Sequence, residues 1–260
     1  MGHIHLGVLP RSKKWRDVVE LLDGGAPTER VVAASARAAE QDLHGAAQDP
    51  VFVEAVRLLL SIPLAARSAD FAGALRANEL RIEGEVGLFS LVSAAMTRLD
   101  EVGLKQGQRS DLGELAARAL GRTLGDCIGG ELPGLFEVTA ADIKATTRKL
   151  SYSSGIAFLS RSFFGELVGT TLSYWLDRVL AVHVGPGQRF DNIAARGAFD
   201  VALRQYSSEA TRIIQEFSGG RYGKVLHEKG AISTHDATAF GAVALKKISA
   251  ELQRRWDSDD

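Results

Sequence analysis

Apolar residues recur at helical spacing from about Trp15 to Trp256. Trp15, Val18, Val19 and Leu22 share one face of a helix that Gly24-Gly25 stops. Asp49 before Pro50 supplies an N-cap with proline at the first helical position. Phe52, Val56, Leu59 and Leu60 form the stripe that follows. Asp111-Leu-Gly-Glu114 has capping-box spacing, with aspartate for the usual hydroxyl residue, and predicts a helix towards Leu124. Thr139-Ala-Ala-Asp142 has the same spacing and predicts a helix from about Ala140 to Leu150. Asp191 is placed to cap a long helix to about Phe217, closed by Gly219-Gly220. Ser233 caps a last helix to about Trp256, striped by Phe240, Val243, Leu245, Ile248 and Leu252.

Two segments break this pattern. In His3-Ile4-His5-Leu6-Gly7-Val8 the apolar positions alternate, which is strand period with Ile4, Leu6 and Val8 on one face. Leu180-Ala-Val-His-Val184 has some strand character but reads as the end of a helix. The fold class expected is therefore mainly α, a bundle-like arrangement of many helices with a short N-terminal β-strand. Gly129-Gly-Glu-Leu-Pro-Gly-Leu135 holds three glycines and a proline and breaks helices. It divides the chain into a lobe over 1–130, with the leading strand, and a lobe over 136–260. A loop within one domain is the alternative.

Composition narrows the function classes. Positive and negative side chains nearly cancel, 31 against 32, so the whole chain has no nucleic-acid or membrane footprint. Residues 141–260 carry net +3 and residues 1–140 net −4, an asymmetry too small to name a partner. Cys127 is the only cysteine, which excludes an internal disulfide and a cysteine metal cluster. The first residues lack a secretory pattern, and the apolar run from Ser162 to Leu176 falls short of the roughly 20 residues a spanning helix needs. The chain is expected to be cytoplasmic with no membrane contact. Arg outnumbers Lys by 22 to 9 and alanine is abundant, as in a GC-rich bacterial gene.

Candidate chemistry dissolves on inspection. Ser218-Gly-Gly-Arg-Tyr-Gly-Lys224 invites comparison with a phosphate-binding loop, but Ser218 and Val225 stand where that pattern needs Gly and Ser or Thr. The run reads as a helix end and turn in which Arg221 and Lys224 attract an anion or an acidic partner surface. His235-Asp236 resembles the dipeptide of a helical class of metal-dependent phosphohydrolases, which also needs a histidine upstream and an aspartate downstream. His183 is available upstream; downstream only Asp257, Asp259 and Asp260 remain, all in the tail. Ser233-Thr-His-Asp236 has capping-box spacing, and capping is the preferred reading. His227-Glu228 lacks the second histidine of a zinc motif, and His3 with His5 lack further ligands. Cys127 has no nucleophile signature around it and reads as a core residue.

Three features point to contacts. Gly165, Gly169 and Ser173 fall at spacing four and let a second helix approach closely, within the monomer or across a homo-oligomer. Arg11-Ser-Lys-Lys-Trp-Arg16 places four positive charges around an aromatic ring, and Gly185-Pro-Gly-Gln-Arg-Phe190 is a tight loop presenting Arg189. The interaction candidates are Ile4, Leu6, Val8, Gly165, Gly169, Arg189, Arg221 and Lys224. No cofactor or metal is expected. The leading expectation is a non-enzymatic interaction or scaffold subunit of a larger bacterial assembly, such as an accessory component of a defence operon, with protein partners. The alternatives are a metal-dependent phosphohydrolase or nuclease using His183, His227, His235 and Asp236, and a nucleic-acid-binding helical module.

Overall fold

A computed structural model describes residues 12–105, 107, 110–132 and 138–258. Among them run twelve α-helices. In the first half these are α1 (Lys13–Asp23), α2 (Thr28–Ala38), α3 (Glu40–Ala46), α4 (Pro50–Ala65), α5 (Phe71–Ala77), α6 (Leu88–Lys105) and α7 (Asp111–Gly129). Then come α8 (Ala140–Lys149), α9 (Ser153–Leu180), α10 (Ile193–Ala210), α11 (Arg212–Lys229) and α12 (Thr234–Ser258). The mainly helical expectation holds for these residues. The strand expected at Ile4, Leu6 and Val8 lies outside them.

The long helix α9 is the axis of the fold. Phe163, Phe164, Leu167, Val168 and Leu172 leave it no wholly polar face, so it must be covered on several sides. Helices α2, α4, α7, α10 and α11 all pack against it. A second layer forms where α12 lies on α2, α3, α4 and α11. Phe52 of α4, Phe163 and Phe164 of α9 and Phe240 of α12 meet at the centre, with ring centroids 5.1–6.5 Å apart. One apolar cluster thus runs from Trp15 to Leu252 and takes in helices from both sides of the 129–135 break. No helix among the described residues is long and apolar enough to cross a membrane.

Several helix ends sit where capping chemistry put them. Asp49 Oδ1 accepts from the backbone N–H of Val51 and Phe52 at 2.8 and 2.9 Å, with Pro50 at N1. Thr139 and Asp142 form a reciprocal capping box at the start of α8. Ser233 and Asp236 do the same for α12: Ser233 Oγ accepts from Asp236 N–H at 3.2 Å, and Asp236 Oδ2 accepts from Ser233 N–H at 3.2 Å. Lys229 Nζ donates to Asp236 Oδ1 at 2.5 Å. Hydrogen bonds from Lys229 and Ser233 hold the Asp236 carboxyl down at about 2. A depressed carboxylate stabilises the fold above its unfolded pKa of about 4, and that contribution fades only as pH falls towards 2. Ser233→Ala should cost about 1 kcal/mol in urea unfolding at neutral pH; a change below a few tenths would show that the cap contributes nothing.

Other expectations need correction. The cap of α7 is Ser110, whose Oγ accepts from Gly113 N–H at 2.8 Å, so Asp111 is already the first helical residue. The cap of α10 is Asn192, not Asp191; its Oδ1 accepts from Ala195 N–H at 2.9 Å. The helix expected to run unbroken to Phe217 is two, α10 and α11, parted at Thr211. Gly219-Gly220 does not end a helix; both lie inside α11. Gly219 is there for proximity, since a Cβ on it would meet the Ser153 carbonyl oxygen at 2.6 Å, where the start of α9 crosses α11. The turn that ends α11 is Gly230, at φ +70°. After Leu180 a single 3-10 turn, Ala181–His183, leads to Val184, which forms an isolated bridge with Phe190.

Candidate functional site

A cleft of about 480 Å³ opens between α7, α9 and α10. Its floor is the small-residue line of α9. A Cβ on Gly165 would touch Thr211 Oγ1 at 3.3 Å, and one on Gly169 would touch Ser207 at 3.7 Å, so these glycines set how near α10 lies to α9. Over that floor a trough remains between α7 and α10. Phe158, half exposed, stands at one end of it.

The cleft wall is mixed, with three arginines and several hydroxyl residues set among apolar surface. Arg122 of α7 reaches across to Glu166 of α9, Nη1 to Oε1 at 3.0 Å, and lies 3.7 Å from Asp126. Arg161 of α9 donates to the neutral amide oxygen of Gln215 at 3.1 Å. Arg204 of α10 is exposed and has no ion-pair partner among the described residues. Hydroxyls of Thr123, Ser162, Ser173 and Ser208 also line the space. Thr123 is 3 % exposed, and its hydroxyl makes no hydrogen bond among the described residues. Cys127 lies beside it on α7. Burial pushes the Cys127 thiol up and the nearby Asp126 adds to this, while a hydrogen bond with Ser162 pulls the other way. The net rise keeps the thiol protonated at neutral pH, which removes the nucleophilic form.

Beside the cleft, α10 turns a second face to solvent. At 100° per residue, Ile193, Ala194, Gly197, Ala198 and Val201 fall on one side, and Arg204 and Ser208 continue it into the cleft. Ile193 is 83 % and Val201 57 % exposed. The opposite side of α10 is the buried one, through Phe199, Leu203 and Ala210. Val182, on the turn between α9 and α10, is exposed too.

The sequence candidates are scattered. Gly165 and Gly169 lie in the cleft. Arg189 turns inward: its guanidinium donates to the Ala26 carbonyl at 2.5 Å and reaches Leu22 at 3.4 Å, tying the 185–190 loop to the end of α1. Arg221 and Lys224 sit on α11, and Lys224 lies 3.9 Å from Glu228 one turn on. Ile4, Leu6 and Val8 lie outside the described residues. Trp15, the ring in the basic N-terminal cluster, is buried 5.8 Å from Trp175 and cannot stack on a base. Buried His183 stands 3.8 Å from Asp23, while His227 and His235 are exposed. Among the described residues no three of His, Cys, Asp and Glu converge to hold a metal.

The cleft and the outer face of α10 were not read from the sequence. Ile193, Gly197 and Val201 do fall at spacing four, but Phe199, Leu203 and Ala210 mark an equally apolar face. Periodicity alone does not say which of two such faces turns inward. No family model matches the chain, and no curated protein or solved structure matches it. The class that the described residues define is all-α, with an arginine-lined cleft beside an uncovered helix face.

Proposed function

We propose that this protein is a non-enzymatic interaction subunit of a larger bacterial assembly in the cytoplasm, and that the outer face of α10 is its contact surface. The observation that carries the reading is the uncharged stripe of Ile193, Ala194, Ala198 and Val201 on a helix whose other face is already buried. Exposed apolar side chains grouped on one element mark protein contacts, because covering them removes unfavourable hydration. Small residues at 194, 197 and 198 favour a close helix–helix approach. The partner that fits is a protein with an apolar helix face and acidic groups at one end, facing Arg204.

The two other readings have less behind them. A phosphohydrolase would need Asp236 free for metal, and that carboxylate is engaged by Ser233 and Lys229. A nucleic-acid module would need a continuous basic face, and the arginines of the cleft are interspersed with Glu166 and Asp126.

Site-specific photo-crosslinking in the native host tests the proposal. A photoreactive residue at Val201 should join one reproducible polypeptide, and the same residue at exposed Arg76 on α5 should not. If both positions give the same products, the α10 face has no privileged partner. Sedimentation of the purified protein tells a second copy of this chain from a different polypeptide.

A further inference from the structure

We propose that the cleft between α7, α9 and α10 is a binding site for a small organic oxyanion, a phosphate or carboxylate carried on a body of metabolite size. The site adjoins the apolar stripe of α10 at Arg204, but ligand binding by the purified protein does not depend on the stripe's having a partner.

Three observations converge. The volume, about 480 Å³, falls in the range of roughly 300–1,000 Å³ typical of small-molecule sites. Three guanidiniums line it, and only Arg122 is neutralised by carboxylates, those of Glu166 and Asp126. Arg161 faces a neutral amide and Arg204 has no ion-pair partner among the described residues, so two forked donors suited to an oxyanion remain. Lastly, Thr123 lines the cleft, and its hydroxyl, open to that space, makes no hydrogen bond to another described residue. A ligand oxygen would satisfy it, with Ser162, Ser173 and Ser208 as further donors. Phe158 offers an apolar surface for the body of the ligand.

Glu166 sets the orientation. Its carboxylate repels an anion at the α7 side of the trough, where Arg122 already holds it. The anionic group therefore belongs near Arg161 and Arg204. Lysine at either position would keep the charge and lose the fork, and glutamine would lose both.

Calorimetric titration of the whole protein with pyrophosphate, AMP and citrate tests this. Saturable binding of at least one is expected, weakened ten-fold or more in Arg161→Gln and in Arg204→Gln, and several-fold in Thr123→Val. Pyrophosphate or AMP binding above citrate assigns the site to phosphates, and the reverse order assigns it to carboxylates. Circular dichroism should show all three variants folded, since Arg161 and Arg204 reach solvent and valine matches threonine in shape. No saturable binding of any probe would overturn the proposal. So would binding that both arginine variants retain unchanged.

Discussion

Replacing Glu54 with glutamine should cost about 3 kcal/mol or more at neutral pH and remove part of the protein's own sensitivity to acid. Glu54 lies on α4, 5 % exposed, and its two carboxylate oxygens are divided between two arginines. Arg57 donates to both, at 2.7 and 2.8 Å, and Arg98 of α6 donates to Oε1 at 2.7 Å. Arg57 continues to Asn78, at 3.1 Å to its side chain and 3.0 Å to its carbonyl, and Arg98 continues to Glu79. Glu79 adopts φ +63°, a conformation that residues with a Cβ rarely take. The network thus binds α4, α6 and the end of α5 together. Removing the central carboxylate leaves the largely buried Arg57 guanidinium without a counter-charge and Arg98 with only the more exposed Glu79 and Glu101, and breaking such a buried pair costs about 3–5 kcal/mol in comparable settings. Burial pushes the Glu54 carboxyl up, but the hydrogen bonds and charges of Arg57 and Arg98 outweigh it and leave it below the usual value. The contribution is therefore complete above the unfolded pKa, near 4, and is lost as pH falls through the lower folded value. Urea unfolding at pH 7 and at successively lower pH should show the wild type converging on Glu54→Gln. A constant gap between the two curves down to the most acidic point would contradict this.

Phe52→Ala should be of similar size, about 3–5 kcal/mol, and should act on the whole chain. The Phe52 ring is fully buried between Phe163, at 6.4 Å, and Phe164, at 6.3 Å in an edge arrangement. Gly241 of α12 lies directly over it, since a Cβ there would come within 2.7 Å of Phe52 Cε1. Truncation removes the ring and leaves a cavity that α4, α9 and α12 are too mutually constrained to fill. The residue belongs to the first half of the sequence and its neighbours to the second. One cooperative thermal transition is expected, lowered as a unit by roughly 10 °C. Two transitions, only one of them shifted, would mark residues 1–130 and 136–260 as separate folding units.

Much of the helical framework was legible because its signals are local. Asp49-Pro50, Thr139 with Asp142 and Ser233 with Asp236 each carry their own capping chemistry within four residues, and each begins a helix. The apolar run around Phe163 and Phe164 announced a helix buried on several sides. The errors arose where a residue answers to something distant. Gly219 looks like a helix end, yet it is small because the Ser153 carbonyl crosses it. Arg189 looks like a surface charge on a tight loop, yet it satisfies carbonyls at the end of α1, more than 160 residues earlier. The glycine line of α9 was visible as a place of close approach, but the cleft above it takes Arg122 from α7 and Arg204 from α10. No spacing rule joins residues that far apart in sequence.

The size of the native assembly tests the interaction reading most directly. The chain carrying Ile193→Asp and Val201→Asp should fold as the wild type does, since both side chains are exposed. In gentle lysates of the native host the tagged wild type should migrate in a complex well above its own 27.9 kDa, and the double variant at the mass of the free chain. A double variant that remains in the large complex, or a wild type that migrates alone, would contradict the account.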